Sequence, residues 1–213
     1  MRDDLLDAPE VVAPRLLGAR LVVGDRDARI VEVEAYGGSD DPASHAYRGE
    51  RPRNRTMFGR AGLLYVYRSY GIHACANVVT GEAGTGSAVL LRAVAPGRGI
   101  EAMRAARGPE RRDHELTSGP GRLCEALGIG LDDDGADLFD PASRVRLEGV
   151  VGPAGEVAAS GRVGISREVE RPWRFWLVGE PHVSRRGPAT AASGAARGRA
   201  VRGRAARGRG VRG

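Results

Sequence analysis

The stretch Arg29-Ile30-Val31-Glu32-Val33-Glu34-Ala35-Tyr36 decides how the rest of the chain is read. Side chains of an extended strand alternate between faces, so Val31, Val33 and Ala35 share one side and Glu32, Glu34 and Tyr36 the other. The apolar side must pack on a core. The carboxylate side then faces either solvent, as on an edge strand, or a cleft. Working outward, apolar runs at 21–23, 63–69, 88–94 and 173–178 read as further strands alongside 29–36. Helices are expected over 9–17, where Pro14 should disrupt the interior, over 100–107, and over 118–127. In the last, Ser118 is placed as N-cap, Pro120 in the first turn and Gly128 as the stop. Strands dominate, so the fold class is α+β: one domain around a mixed or antiparallel sheet with peripheral helices. Residues 132–157 are too rich in Gly and Asp to assign an element.

Composition removes several classes of chemistry. All 33 basic residues are Arg, and lysine is absent from the 213 residues. A Walker-type phosphate loop and Schiff-base catalysis by a side-chain amine are thereby excluded. Residues 185–213 hold nine Arg and no acid, which leaves 24 Arg against 27 acids in residues 1–184, a net of −3. The division expected is a folded domain over 1–184 and a disordered Arg/Gly/Ala-rich tail over 185–213, whose charge suits phosphate contact. Cys75 and Cys124 stand far apart, outside any CxxC pattern, so neither a zinc finger nor a disulfide scaffold is expected and a reducing cytoplasm is the default. No run approaches a membrane span, and the acidic start Met1-Arg2-Asp3-Asp4 does not read as a signal peptide.

Four groups of residues suggest chemistry. Glu34 is followed by Asp40, Asp41 and His45, a set that could hold a divalent ion, although no HExxH or HxH spacing supports it. Arg48, Arg51, Arg53, Arg55 and Arg60 form a basic loop whose forks suit phosphate oxygens, with Asn54 and Thr56 as further donors; a solvated loop with local ion pairs is the plainer reading. Tyr65 and Tyr67 fall on one strand face and Tyr70 at a turn before Gly71, an arrangement that suits base stacking or a wedge into a duplex. Ordinary core packing would also explain Tyr65 and Tyr67. Arg92, inside the apolar run 88–94, needs a partner, and the carboxylates of 31–36 are natural candidates.

In order along the chain, EVEAYGG (32–38), DPASHAYRG (41–49), PRNRTMF (52–58), LYVYRSYG (64–71), CANVV (75–79), VLLRA (89–93) and LTSGPGRLCEALGI (116–129) resemble the 3-methyladenine (alkyladenine) DNA glycosylase family. The resemblance spans about residues 16–184. It implies a single domain around a curved, mostly antiparallel sheet, with no metal and no organic cofactor. It implies Glu34 as the general base that activates water against C1′ of a flipped nucleotide, with Arg92 and the main chain at Val163 completing the catalytic set. Tyr36, His45, Tyr67 and Asn77 match the substrate-binding pocket, Asn77 as the residue crowding the exocyclic amine of normal guanine. Tyr70 matches the side chain inserted into the duplex, and Arg48, Arg53, Arg55, Ile72 and His73 are counted with it as DNA-binding. The partner implied is double-stranded DNA containing a damaged purine, bound by a monomer in the cytoplasm or on the nucleoid. Without lysine, a monofunctional glycosylase that leaves an abasic site is expected. His45 is a conceivable proton source for a neutral base such as hypoxanthine. The competing readings are a non-catalytic nucleic-acid-binding module using the same surface, a metal-assisted hydrolase using Glu34, Asp41 and His45, and an interaction protein working through its tail.

Overall fold

The structure is a computed structural model that describes residues 2–150, 152–184 and 190–191. A 3-10 turn at Asp3–Leu5 precedes α1 (Pro9–Arg15). Pro14 does not break α1, because it lies one residue from the end, where little of the helical ladder remains to be lost. β1 (Arg20–Val23) and β2 (Arg26–Tyr36) form a hairpin closed at Gly24, whose φ of +58° a side chain would resist. After a 3-10 segment at Pro52–Phe58 come β3 (Leu64–Ser69), β4 (His73–Thr80) and β5 (Ser87–Pro96). The helices α2 (Ile100–Arg107), α3 (Asp113–Leu116) and α4 (Pro120–Leu127) follow, then β6 (Val145–Glu148), β7 (Val157–Ser160), β8 (Arg174–Leu177) and β9 (Thr190–Ala191).

One expectation is corrected. The N-cap of α4 is Gly119 rather than Ser118, which instead bridges Ala93 of β5. Thr190 and Ala191 pair with Ala159 and Ala158 on β7; the remainder of 185–213, the segment expected to be disordered, lies outside the described residues. The Gly128 stop holds: its φ is +72°, and the Ile129 N–H returns to the Cys124 carbonyl at 2.8 Å.

Every strand pairing among the described residues is antiparallel, in the order β3-β4-β5-β2-β8-β7-β9, with β1 lying between β2 and β6. The sheet curls into a half-barrel, giving a mixed α+β single domain. β2 is its hub, paired with β5 on one side and with β1 and then β8 on the other. β2 is therefore no edge strand, and the solvated reading of its carboxylate face fails: Glu32 and Glu34 are both wholly buried. One face of the sheet carries Val31, Val33, Ala35, Leu64, Val66, Val89 and Leu91 into a core completed by Met103 of α2 and Leu123 and Leu127 of α4. Burying these side chains supplies most of the driving force for folding. The opposite face gathers Tyr65, Met57, Val79 and Ala88 into a smaller cluster with Tyr36 and Tyr67 packed against it. Both cysteines are buried and free.

Candidate active site

Strand register assembles the site. Tyr65 pairs with Asn77, Asn77 with Leu90, Leu90 with Glu34 and Glu34 with Arg174, so one row across four neighbouring pairings carries an aromatic, an amide, a carboxylate and a guanidinium on a single face. Around Glu32 the register slips by one residue and back, leaving Val31 and Arg92 without direct cross-strand partners. Arg92 reaches both carboxylates from this bulge. Its Nε donates to Glu32 Oε1 at 3.0 Å, and its Nη1 lies 3.3 Å from Glu34 Oε1.

The two glutamates differ in their surroundings. Glu32 is saturated: Oε1 accepts from Arg92, from Arg174 Nε at 2.7 Å and from Ser184 Oγ at 3.0 Å, and Oε2 accepts the Ser184 N–H at 2.6 Å. Glu34 Oε1 accepts the Val163 N–H at 2.7 Å, and Oε2 accepts the Tyr36 hydroxyl at 2.9 Å. A carboxylate offers about four acceptor positions. Counting Arg92, three at Glu34 are taken and Oε2 retains one.

The residues touching Glu34, namely Tyr36, Arg92 and Val163, line a cavity of about 300 Å³ whose other walls include His45, Tyr67 and Asn77. His45 meets Tyr67 edge to face at 4.5 Å between ring centres, and Tyr67 stacks on Tyr65 at 5.6 Å. His45 Nδ1 lies 3.2 Å from the Tyr65 hydroxyl. Desolvation, aided by Arg53, lowers the His45 pKa below its ordinary value. Burial raises the phenols: Tyr65 is pushed up to about 12, while Tyr36, beside the Glu34 carboxylate, and Tyr67 are pushed higher still. The Asn77 amide donates to the Tyr65 carbonyl at 3.0 Å and the Cys75 carbonyl at 3.4 Å, which leaves its oxygen as the free polar end.

At the cavity mouth the β3–β4 hairpin turns through Tyr70, Gly71 and Ile72. Tyr70 is 90% exposed with φ +50°, and Ile72 is 72% exposed. His73 follows, also exposed. A groove of about 560 Å³ connects Tyr67 and Tyr70 to Arg53 and to Arg68, an exposed arginine that the sequence reading passed over. Arg48 and Arg55 are exposed on the same loop, Arg55 3.4 Å from Glu50. Asn54 is not available as a phosphate donor. It is buried, donating to the His45 and Gly49 carbonyls and accepting from the Arg51 N–H, so that it shapes the loop. Thr56 is likewise engaged with Asp134, at 2.8 Å.

The metal donor set does not assemble. Asp41 is turned toward Arg162, Asp40 is exposed, and no group of three or more His, Cys, Asp or Glu among the described residues converges on a point. Arg162, Arg174 and Ser184 were missed as parts of the site; for Arg162 the available signal was its position next to Val163 in Gly161-Arg162-Val163-Gly164-Ile165.

The sequence model of the methylpurine-DNA glycosylase family matches residues 3–181. A protein of Nocardia farcinica is 50% identical over 200 residues, covering 91% of this chain and 94% of its own length. Proteins of Mycobacterium tuberculosis and Mycobacterium leprae are each 48% identical over 201 residues, covering 91% of this chain and 98% and 93% of theirs. All three are provisionally named 3-methyladenine DNA glycosylases. No helix among the described residues is long and apolar enough to cross a membrane. From the family match over most of its length, and from relatives about half identical over 91% of it, the chain belongs to the methylpurine-DNA glycosylase family and is a DNA glycosylase.

Proposed function

We propose that this enzyme, acting as a monomer on double-stranded DNA, flips a damaged purine of the 3-methyladenine, 7-methylguanine or hypoxanthine class into the aromatic cavity. There it hydrolyses the N-glycosidic bond. The observation that carries the reading is Glu34: wholly buried, held by Tyr36, Arg92 and the Val163 N–H, with one acceptor position left on Oε2 and its three partners all lining the cavity. A water on that position gives its proton to Glu34 as its oxygen bonds C1′. The C1′–N bond breaks, and its electron pair leaves with the base. The carboxylate also stabilises the positive charge that develops on the sugar. An alkylated purine is cationic, departs as a neutral base, and is attracted to the faces of Tyr36 and Tyr67. Flipping costs a few kcal/mol, least at damaged pairs, so part of the selection precedes chemistry. Tyr70 fills the gap in the duplex while Arg48, Arg53 and Arg55, with Ile72 and His73 at the hairpin, meet its backbone. With no side-chain amine in the sequence the product is an intact strand with an abasic site.

The test uses two labelled duplexes, one with a single hypoxanthine and one carrying methylated purines, incubated in EDTA and then heated in alkali. Wild type should cut at the damaged positions, and Glu34→Gln should be slower by at least ~100-fold, the usual worth of a general base. Retained binding with no cleavage of either duplex would replace excision by damage-independent DNA binding.

A further inference from the structure

We propose that Arg162 and Asp41 are positioning residues for base excision: their buried ion pair sets the Val163 N–H against Glu34. The proposal rests on the excision reading above. Val163 lies in the irregular segment between β7 and β8, so its hydrogen bond to Glu34 Oε1 is only as well placed as that segment is held. Arg162 does the holding. Its side chain is wholly buried and grips Asp41 with both terminal nitrogens, Nη1 to Oδ2 at 2.6 Å and Nη2 to Oδ1 at 2.8 Å. Nη1 also donates to the carbonyl of Ala35 at 3.0 Å. Ala35 follows Glu34, and Arg162 precedes Val163. The donor and the acceptor of the Val163–Glu34 hydrogen bond are thus each one residue from a single guanidinium.

The same group orders the cavity wall. It lies 4.7 Å from the centre of the Tyr36 ring and 5.2 Å from that of Trp173, while Asp41 closes the loop after Tyr36 by accepting the N–H of Gly37 at 3.0 Å and of Ala43 at 3.2 Å. Entry to the segment is fixed at Gly161, where an added Cβ would stand 2.4 Å from the Val169 carbonyl oxygen. Plain fold stabilisation explains this poorly. Buried pairs are often matched or exceeded in stability by apolar residues of equal volume. Here, moreover, Arg162 Nε has no hydrogen-bond partner among the described residues. What an apolar pair cannot supply is the planar fork that ties three backbone segments at fixed angles.

The experiment measures single-turnover excision from the hypoxanthine duplex by wild type, Arg162→Lys, Asp41→Asn and the apolar double variant Arg162→Met/Asp41→Leu. The active fraction of each is titrated with a duplex carrying a pyrrolidine abasic-site analogue, so that misfolding lowers the amplitude and leaves the rate constant of the folded molecules readable. Positioning predicts rate constants lower by ~10- to 100-fold, the scale of a misplacement of about 1 Å. Affinity for an undamaged duplex should stay within about twofold, since neither residue reaches the exposed DNA face. Arg162→Lys should fail to rescue, having charge without the fork. Unchanged rate constants in the folded fraction of Asp41→Asn and the double variant, with Glu34→Gln inactive as expected, would overturn this proposal alone. A wild type that excises from neither the hypoxanthine duplex nor the methylated-purine duplex, or an active Glu34→Gln, would overturn the excision reading and this proposal with it; a wild type active on the methylated duplex alone moves the comparison of variants to that duplex.

Discussion

At the scale of single residues the informative contrast is between Glu32 and Glu34, two positions apart on one strand face. Their sequence contexts are nearly identical, yet one is saturated by Arg92, Arg174 and Ser184 while the other keeps an acceptor position beside the cavity. Alternation placed both on one face; only pairing with distant strands separated their roles. His45 supports a prediction at this scale. Its pKa is lowered by desolvation and by Arg53, so the neutral ring dominates at physiological pH, and under the proposed excision it would meet the base without supplying a proton. Excision of hypoxanthine should therefore not fall tenfold per pH unit between about 6.5 and 8, as loss of a required His acid would demand. A rate profile with that slope, abolished in His45→Gln, would make His45 the acid. The linkage has a definite sign. The folded pKa lies below the unfolded value, so the unfolded chain binds more protons in between, and His45 destabilises the fold as pH falls below about 6.5.

At the scale of elements, the strands rich in branched residues were legible and the poorly propensive ones were not. β2, β3 and β5 follow from their Val, Ile, Leu and Tyr content and β8 from its Phe, Trp and Leu, with bounds off by a few residues. β4, His73-Ala74-Cys75-Ala76-Asn77-Val78-Val79-Thr80, opens on weak strand formers and takes its shape from pairing on both sides with β3 and β5. β6 lay within the Gly- and Asp-rich stretch 132–157 that resisted assignment, and β7 begins at the last residue of that stretch. The β3–β4 turn supports a prediction. Tyr70 holds φ +50°, a conformation costing a non-glycine residue of order 1 kcal/mol, while its ring stands almost entirely in solvent. Asn accepts that backbone region readily. Tyr70→Asn should hold or raise thermal stability, by up to about 1 kcal/mol, while weakening affinity for a damaged duplex by about 1–3 kcal/mol, the worth of a stacked aromatic. Equal affinity of variant and wild type in an anisotropy titration would remove Tyr70 from the interface.

For the whole molecule the question is how a mildly acidic body approaches DNA. Residues 1–184 carry a net −3, but the exposed arginines 53 and 68 line the groove beside the hairpin, with Arg48 and Arg55 exposed on the same loop as Arg53, and attraction depends on local potential. The basic C-terminal residues add long-range charge. Truncation after Ala191 preserves the β7–β9 pairing and removes seven arginines. It should weaken duplex binding and flatten its dependence on salt, by up to about 0.9 in the logarithmic slope for each phosphate no longer neutralised. The single-turnover rate at saturating enzyme should stay the same. A salt titration indistinguishable from that of the full chain would leave these arginines without a role in binding.

The sequence by itself determined the fold class, the glycosylase resemblance, the absence of lysine chemistry and which residues share a face of β2 and of β3. These are local or compositional properties: alternation has a period of two, and a missing side chain is missing in any fold. Tertiary structure alone decided that β2 is central, that Glu32 is saturated and Glu34 is not, that Asn54 shapes a loop and is not a phosphate donor, and that Asp41 belongs to Arg162 and not to a metal. Each of those outcomes depends on a partner 9 to 152 residues away in the chain. Spacing along a sequence does not encode which distant backbone arrives at hydrogen-bond distance; packing of the whole sheet does.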